Sequence, residues 1–565
     1  MGLLWNVTKD LKNCMDSIGL VDVPSSGLQF TWSFKNVLTK LDRVLMNQEW
    51  NNLGLEEALT IFEFGGISQK ASSAKVEFQE AFNCLVEDPD NVALREKVDI
   101  LKKASKSLSE SELSFLKQKA KCQHLLETDK GTKYYHALIN KNRARSHISY
   151  IVKEDGLKTT SYMEMADLFV DFYKGLFGTR RLSKPIDLDI LGKGPCVPCD
   201  DTDGLVAPIT GEEIKATLWE MDGDKAPGPD GFSSTFFMAN WDLVGYDLIK
   251  CVQEFFNTGK LLKQLNHTIV ALIPKTNHDP MVGDFRPIGC TNVIYKVITK
   301  ILTKRMTSFL PIIVDSGQTA FVKGRHISDN VFLAQEILRG YKVKRNSPHC
   351  MIMLDIQKAY DTVSWDFVEN VLLGLGFPTK FVGWIMECVT TASYSISING
   401  LLHGHLKGGR GLRQGDPISP TLFLFCIEYL SRMLKVRTSG SGFSYHPKWE
   451  FLKITHIVFE DDLMLFSRAD TLSVSILLGC LHDLEEASGL TVSPTKSNIF
   501  FSGVCGLLKE ELLRRVGFDM GKFPIRYLGI PLANSKVSVE QFAPFIDLMR
   551  GLLFGTLSQN MGILI

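Results

Sequence analysis

The chain has 565 residues, 45% of them hydrophobic and 22% charged, too apolar for a disordered protein and too long for one ordinary domain. Lys+Arg and Asp+Glu both number 63, so a nucleic-acid partner would have to be met by local charge and not by net charge. Uncharged apolar runs such as 421–427 and 474–481 fall short of the ~20 residues that span a bilayer. The opening MGLLWNVTKD lacks a secretory pattern, so a soluble intracellular protein, nuclear or cytoplasmic and without a membrane partner, is expected.

Up to residue 65, short β segments are predicted: 28–33 and 40–46 are strand-like, with a turn at Pro24-Ser25-Ser26-Gly27. Residues 70–150 switch to helical periodicity with dense charge, as in LREKVDILKKASKSLSESELSFLKQKAK, which predicts long exposed helices. The Pro/Gly-rich stretch 182–210 reads as a linker. Its Cys196-Val-Pro-Cys199 has metal-ligand spacing but no second pair, and the 12 cysteines suit a reducing compartment. From Thr210 onward helices and strands mix without βαβ alternation, so the fold class is α+β. Basic residues gather over 267–305: Lys275, Arg286, Lys296, Lys300, Lys304 and Arg305, against Asp279 and Asp284. Lys296, Lys300 and Lys304 lie on one helix face opposite Val297, Ile298, Ile301 and Leu302, which fits either a solvated face or a template-phosphate contact.

Three segments carry chemistry. In MIMLDIQKAYDTVSWDF an apolar strand delivers Asp355 at its end, and the pattern then turns helical with Ser364 as N-cap and Asp366 in the first turn. GLRQGDPISPTLFLF is a Gly/Pro-controlled loop running into an apolar helix. In ITHIVFEDDLMLF two apolar runs flank Glu460-Asp461-Asp462, which predicts a β-hairpin with acids at its tip. Carboxylates ~4 Å apart repel by a few kcal/mol at an effective dielectric of about 20, and a fold keeps such a cluster when cations neutralise it. Oxygen-only ligands favour Mg²⁺ over zinc, and two such ions serve an in-line phosphoryl displacement.

Further blocks stand around these segments: Lys225-Ala226-Pro227-Gly228-Pro229-Asp230-Gly231, residues 266–275 with Gly283-Asp284-Phe285-Arg286-Pro287-Ile288, and Gln318-Thr319-Ala320-Phe321 through Asp329-Asn330. Asp355-x-x-Lys358-Ala359-Tyr360-Asp361, Arg413-Gln414-Gly415-Asp416-Pro417, Phe459-Glu460-Asp461-Asp462, Ser488-Gly489-Leu490 with Lys496, and Tyr527-Leu528-Gly529-Ile530-Pro531-Leu532 follow. The ordered set, over about 206–535, resembles the reverse transcriptases of non-LTR, LINE-type retrotransposons in the form common in plant genomes. The resemblance implies a right-hand polymerase palm and fingers at 206–535. A β-rich endonuclease remnant would occupy 1–65, a helical connector and linker 66–205, and a truncated thumb 536–565.

It further implies an RNA template, a DNA primer, dNTP substrates and two Mg²⁺ ions, or Mn²⁺ in their place. Asp355 and Asp461 would hold the metals with Asp462 in support, and Lys496 would protonate departing pyrophosphate. Lys275 and Arg286 would grip the triphosphate. Tyr360 would exclude a 2′-hydroxyl, and Gln414-Gly415 would lie against nucleotide and template. Asp416 would organise its own turn. Tyr527-Leu528-Gly529 would form the primer grip.

Three departures from the family pattern are visible. Glu460 replaces a small residue at the hairpin tip, so impaired catalysis is expected. Val21-Asp22-Val23-Pro24, Thr31-Trp32-Ser33 and Leu41-Asp42-Arg43 resemble only the tail of an endonuclease domain, so nicking is not expected. The uncharged tail from Gly551 stands where a thumb is expected. The alternative to an active polymerase is a catalytically inactive nucleic-acid-binding remnant.

Overall fold

The computed structural model describes residues 67–120, 132–181, 183–223, 225–275, 279–339, 341, 347–440 and 442–533, residues 543 and 546, and the backbone of four short amino-terminal strands. These strands are β1 (Leu20–Asp22), β2 (Trp32–Phe34), β3 (Val37–Thr39) and β4 (Leu45–Asn47), paired antiparallel as β1 with β4 and β2 with β3. The strands expected over 28–33 and 40–46 meet them only at their ends. The turn at 24–27, the rest of the endonuclease-like segment and the tail 536–565, apart from 543 and 546, lie outside the described residues.

The chain divides into two compact units, 1–139 and 140–565. In the first, helices Ile67–Glu87 and Val92–Ala120 bury little beyond Ile67, Ala71, Ala81, Val98, Ser105 and Leu116, as their dense charge requires.

The second unit is built on two sheets. Strands β10 (His456–Phe459), β11 (Asp462–Arg468), β7 (His349–Asp355), β12 (Asn498–Ser502) and β13 (Asp519–Met520) form a five-stranded sheet in that order. The central β7 is buried on both faces. Cys350, Ile352 and Leu354 face the main core with helices Trp365–Gly374, Ser419–Thr438 and Thr471–Ser488. Met351 faces a second cluster with Met464, Phe466, Phe500 and helix Ile327–Leu338. Two-sided burial explains why β7 reads as an unbroken apolar run and not as an alternation. On that second face sits the hairpin of β14 (Ile525–Tyr527) and β15 (Ile530–Leu532).

Strands β6 (Phe285–Cys290), β5 (His267–Pro274), β8 (Ser393–Ile398) and β9 (Leu401–Lys407) form a four-stranded sheet in that order, parallel only at β5–β8. Its Val270, Leu272, Tyr394, Ile396 and Leu406 pack on Met165, Phe169, Tyr173 and Phe177 of helix Tyr162–Gly178. Ser161 caps that helix, accepting from the Glu164 N–H at 3.2 Å. The Pro/Gly-rich stretch 182–210 is not a free spacer: Ile190, Leu191, Val197, Leu205 and Ile209 are buried in the main core. Its glycines and prolines break the periodicity by which such burial is recognised.

A buried arginine ties the four-stranded sheet to the loop that leads into helix Ser419–Thr438. Arg413 Nη1 donates to Asn266 Oδ1 at 2.6 Å and Thr268 Oγ1 at 3.0 Å, and Nη2 donates to Cys388 O at 2.9 Å and to the Tyr295 hydroxyl. Its Nε lies 3.3 Å from Asp416 Oδ2, which also accepts the Tyr295 hydroxyl at 2.6 Å. Asp416 thus organises its turn, also accepting the Ile418 N–H at 3.3 Å. Close by, Gln414 Nε2 donates to Asp361 Oδ1 at 3.0 Å. Burial pushes the Asp361 carboxyl up to about 7, against the pull of Gln414, Lys358 and Lys275.

Two outcomes follow from this joint. Arg413→Ala leaves Asp416 charged and buried without its partner and should cost about 3–5 kcal/mol in urea unfolding. Asp361 ionises near pH 4 when unfolded and at about 7 when folded, so its contribution is full below the lower value and lost as pH rises to the upper. Urea unfolding from about pH 5 to about pH 8 should therefore cost the wild type more stability than Asp361→Asn.

Candidate active site

Antiparallel pairing sets the centre of the site. Strand β7 ends on Asp355, β11 begins on Asp462, and the two are cross-strand partners. Phe459 pairs with Asp462, so Glu460 and Asp461 form a two-residue hairpin loop. Glu460 adopts φ +59°, the sign a type II′ turn needs at its first central residue, where glycine is favoured. The strained loop is held from behind. The Glu460 N–H donates to Gln318 Oε1 at 3.2 Å, Asn330 Nδ2 to Val458 O at 2.7 Å, and the Val458 N–H to Gly317 O at 2.9 Å.

Burial raises the Asp461 carboxyl above its ordinary value, with Asp355 adding to the shift. Burial, Asp461, Asp355 and Glu460 together push Asp462 up to about 7. This is a cluster of mutually repelling acids with oxygen donors only, which fits a hard divalent cation. Among the described residues no group of three or more His, Cys, Asp or Glu already stands in a ligating arrangement. Asp355 Oδ2 instead lies 3.5 Å from Lys496 Nζ.

Cations surround the acids. Lys275 follows β5, its N–H donating to Asp284 O at 2.8 Å, and Arg286 sits on β6 paired with Ile273. Burial holds the Lys275 ammonium below its usual value, and the nearby Arg286 and Lys496 lower it further. The Ser493 N–H donates to Asp355 O at 2.8 Å. The Asp355 N–H donates to Ser497 Oγ at 3.2 Å. Lys358, to which the sequence reading gave no role, takes φ +46° and lies 4.1 Å from the Phe172 ring centroid. Burial lowers its ammonium, and Lys275 and Asp361 are among its charged neighbours.

The Tyr360 ring stacks on Phe423 at 4.9 Å, and its hydroxyl donates to Glu460 Oε1 at 2.5 Å. Behind it runs the Gln414-Gly415 loop, where the Gly289 N–H donates to Gln414 O at 2.7 Å. Gly415 has φ +94°, and a Cβ there would stand 3.1 Å from Gly289 O. Glycine is required by both conformation and contact.

Lys296, Lys300 and Lys304 are not an open cationic face. Lys296 is buried and donates to Ala226 O at 3.1 Å; Lys300 donates to Glu220 O at 2.9 Å; Lys304 donates to Glu220 Oε1 at 2.8 Å. They tie their helix to Glu220 and Ala226, which follow helix Gly211–Trp219. Tyr527 is buried, within 3.5 Å of Asn330 Nδ2, while Leu528 and Gly529 have φ +51° and +79° and form a type I′-like tip. Asp462 is a charged neighbour of the Tyr527 hydroxyl, which places this hairpin close to the acids. Gln318, Asn330 and Arg413 were visible in the quoted blocks, but only the long-range pairing reveals what they hold.

A family model described as "Reverse transcriptase (RNA-dependent DNA polymerase)" matches residues 273–532. The chain is 28% identical over 432 residues to an uncharacterised 149 kDa protein of transposon TX1 from Xenopus laevis, covering 76% of this chain and 32% of that protein. It is 26% identical over 335 residues to a retrovirus-related Pol polyprotein from the type-2 retrotransposable element R2DM of Drosophila melanogaster, covering 57% of this chain and 30% of that one. An uncharacterised mitochondrial protein of Arabidopsis thaliana is 33% identical over 107 residues, 87% of its length. The chain thus spans about a third of the first two relatives. With its acids gathered by one sheet register inside the matched region, the chain belongs to the reverse transcriptases of the non-LTR retrotransposon class.

Proposed function

We propose that this chain is an RNA-directed DNA polymerase, extending a DNA primer from dNTPs on an RNA template. The observation that carries the reading is the pairing of Asp355 with Asp462, with Asp461 beside Asp355 and the cations Arg286 and Lys496 among its charged neighbours. The five-stranded sheet would be the palm and the four-stranded sheet the fingers. In this reading Asp355 and Asp461 would hold Mg²⁺, with Asp462 beside them. When bound, the ions would supply charge neutralisation for the primer oxygen and the departing pyrophosphate.

The chain's own groups do the rest. Lys275 as a point charge and Arg286 as a bidentate donor bind the triphosphate and orient its α-phosphate. Lys496, beside Asp355, is the proton donor to pyrophosphate. Tyr360 stands beneath the sugar and rejects a 2′-hydroxyl by bulk, and the Gln414-Gly415 backbone flanks the nucleotide. The Tyr527-Leu528-Gly529 hairpin is the primer grip. A second reading, a nucleic-acid-binding protein with little catalysis, is favoured by one observation: Glu460 adds a further negative charge beside Asp462.

Primer extension on poly(rA)/oligo(dT) with dTTP separates the two. Asp355→Ala should abolish incorporation while salt-dependent hybrid binding persists, and Glu460→Ala should raise incorporation. No incorporation by wild type or Glu460→Ala, with binding intact, would favour the second reading. Lys275→Ala and Arg286→Ala should each raise KM for dTTP about tenfold or more, as expected when a charged hydrogen bond to phosphate is lost.

A further inference from the structure

Glu460 departs from the family pattern, and its carboxylate has a specific partner: Oε1 accepts the Tyr360 hydroxyl at 2.5 Å. We propose that Glu460 is a positioning residue for Tyr360, and that the clasped pair sets the discrimination between deoxyribonucleotides and ribonucleotides. The inference rests on the polymerase reading and deepens it.

Tyr360 is held at three points. Its carbonyl accepts the Leu412 N–H at 2.6 Å, its ring stacks on Phe423 with planes 28° apart, and its hydroxyl binds Glu460. The first two fix the backbone and one ring face; only the third restrains the tip of the ring. Glu460 is itself fixed. It sits in a two-residue loop at φ +59°, a conformation that non-glycine residues rarely adopt, with its N–H on Gln318. The contact therefore joins the short helix Ala359–Thr362 to the loop that carries Asp461. A steric wall rejects a hydroxyl only as well as it resists being pushed aside. Cutting the clasp frees the ring to yield, and a ribose then fits.

The test uses the full chain on poly(rA)/oligo(dT), with Ca²⁺ replacing Mg²⁺ so that binding is read apart from turnover. The ratio of Kd for UTP to Kd for dTTP is measured for wild type, Glu460→Gln, Glu460→Ala, Tyr360→Phe and the double variant Glu460→Ala/Tyr360→Phe. Gln keeps an acceptor oxygen and should keep the wild-type ratio. Glu460→Ala and Tyr360→Phe should each lower the ratio about tenfold or more, and the double variant should fall no further than either alone. An unchanged ratio in Glu460→Ala would overturn the proposal. A raised ratio would also overturn it, marking Glu460 as an acceptor for the 2′-hydroxyl. Wild type that binds neither nucleotide would overturn the polymerase reading itself, an outcome distinct from binding without discrimination.

Discussion

The register between β7 and β11 is the constraint on which the rest of the site depends. It sets Asp355 opposite Asp462 and leaves Asp461 at the turn. A slip of one residue would turn every side chain to the opposite face and replace this acid pair with Leu463 or Leu354. Burial on both faces forbids the slip, because Ile352 and Leu354 belong to one core and Met351 and Phe466 to another. The acids repel one another, and the apolar packing beneath them holds them together. The Gln318, Gly317 and Asn330 bonds extend that restraint to the strained turn, where the strand ladder ends.

The second constraint is the buried arginine that ties the four-stranded sheet to the loop before helix Ser419–Thr438. Arg413 ties Asn266 and Thr268 of the four-stranded side to Asp416, in the loop that also carries Gln414. Buried charge of this kind contributes little net stability against a well-packed apolar substitute, but it fixes one geometry. The backbone contact between Gly289 and Gln414 then sets how near the Lys275–Arg286 arm comes to the acids.

Much of this was legible in the sequence because it is local. The apolar run before Asp355, the acids between two apolar runs, and the Gly/Pro loop before an apolar helix all appear where the pattern predicted them. Ser364 takes the N-cap position with Asp366 in the first turn, but its hydroxyl donates to Ser183 Oγ and makes no cap bond. What was not legible depends on distant partners. Lys296, Lys300 and Lys304 look like a free stripe until Glu220 and Ala226 are brought beside them. The stretch 182–210 reads as a spacer because glycine and proline hide the apolar residues it buries. The clasp between Glu460 and Tyr360 joins residues 100 apart in the chain, beyond any helical or strand period.

The chemistry of the site depends on whether the paired acids hold a cation. Titration of the full chain with Mn²⁺ on a template–primer hybrid, followed by electron paramagnetic resonance, measures this directly. Bound Mn²⁺ is expected in the wild type, with binding roughly tenfold weaker or more in both Asp355→Asn and Asp461→Asn. Equal Mn²⁺ affinity in all three proteins would contradict it.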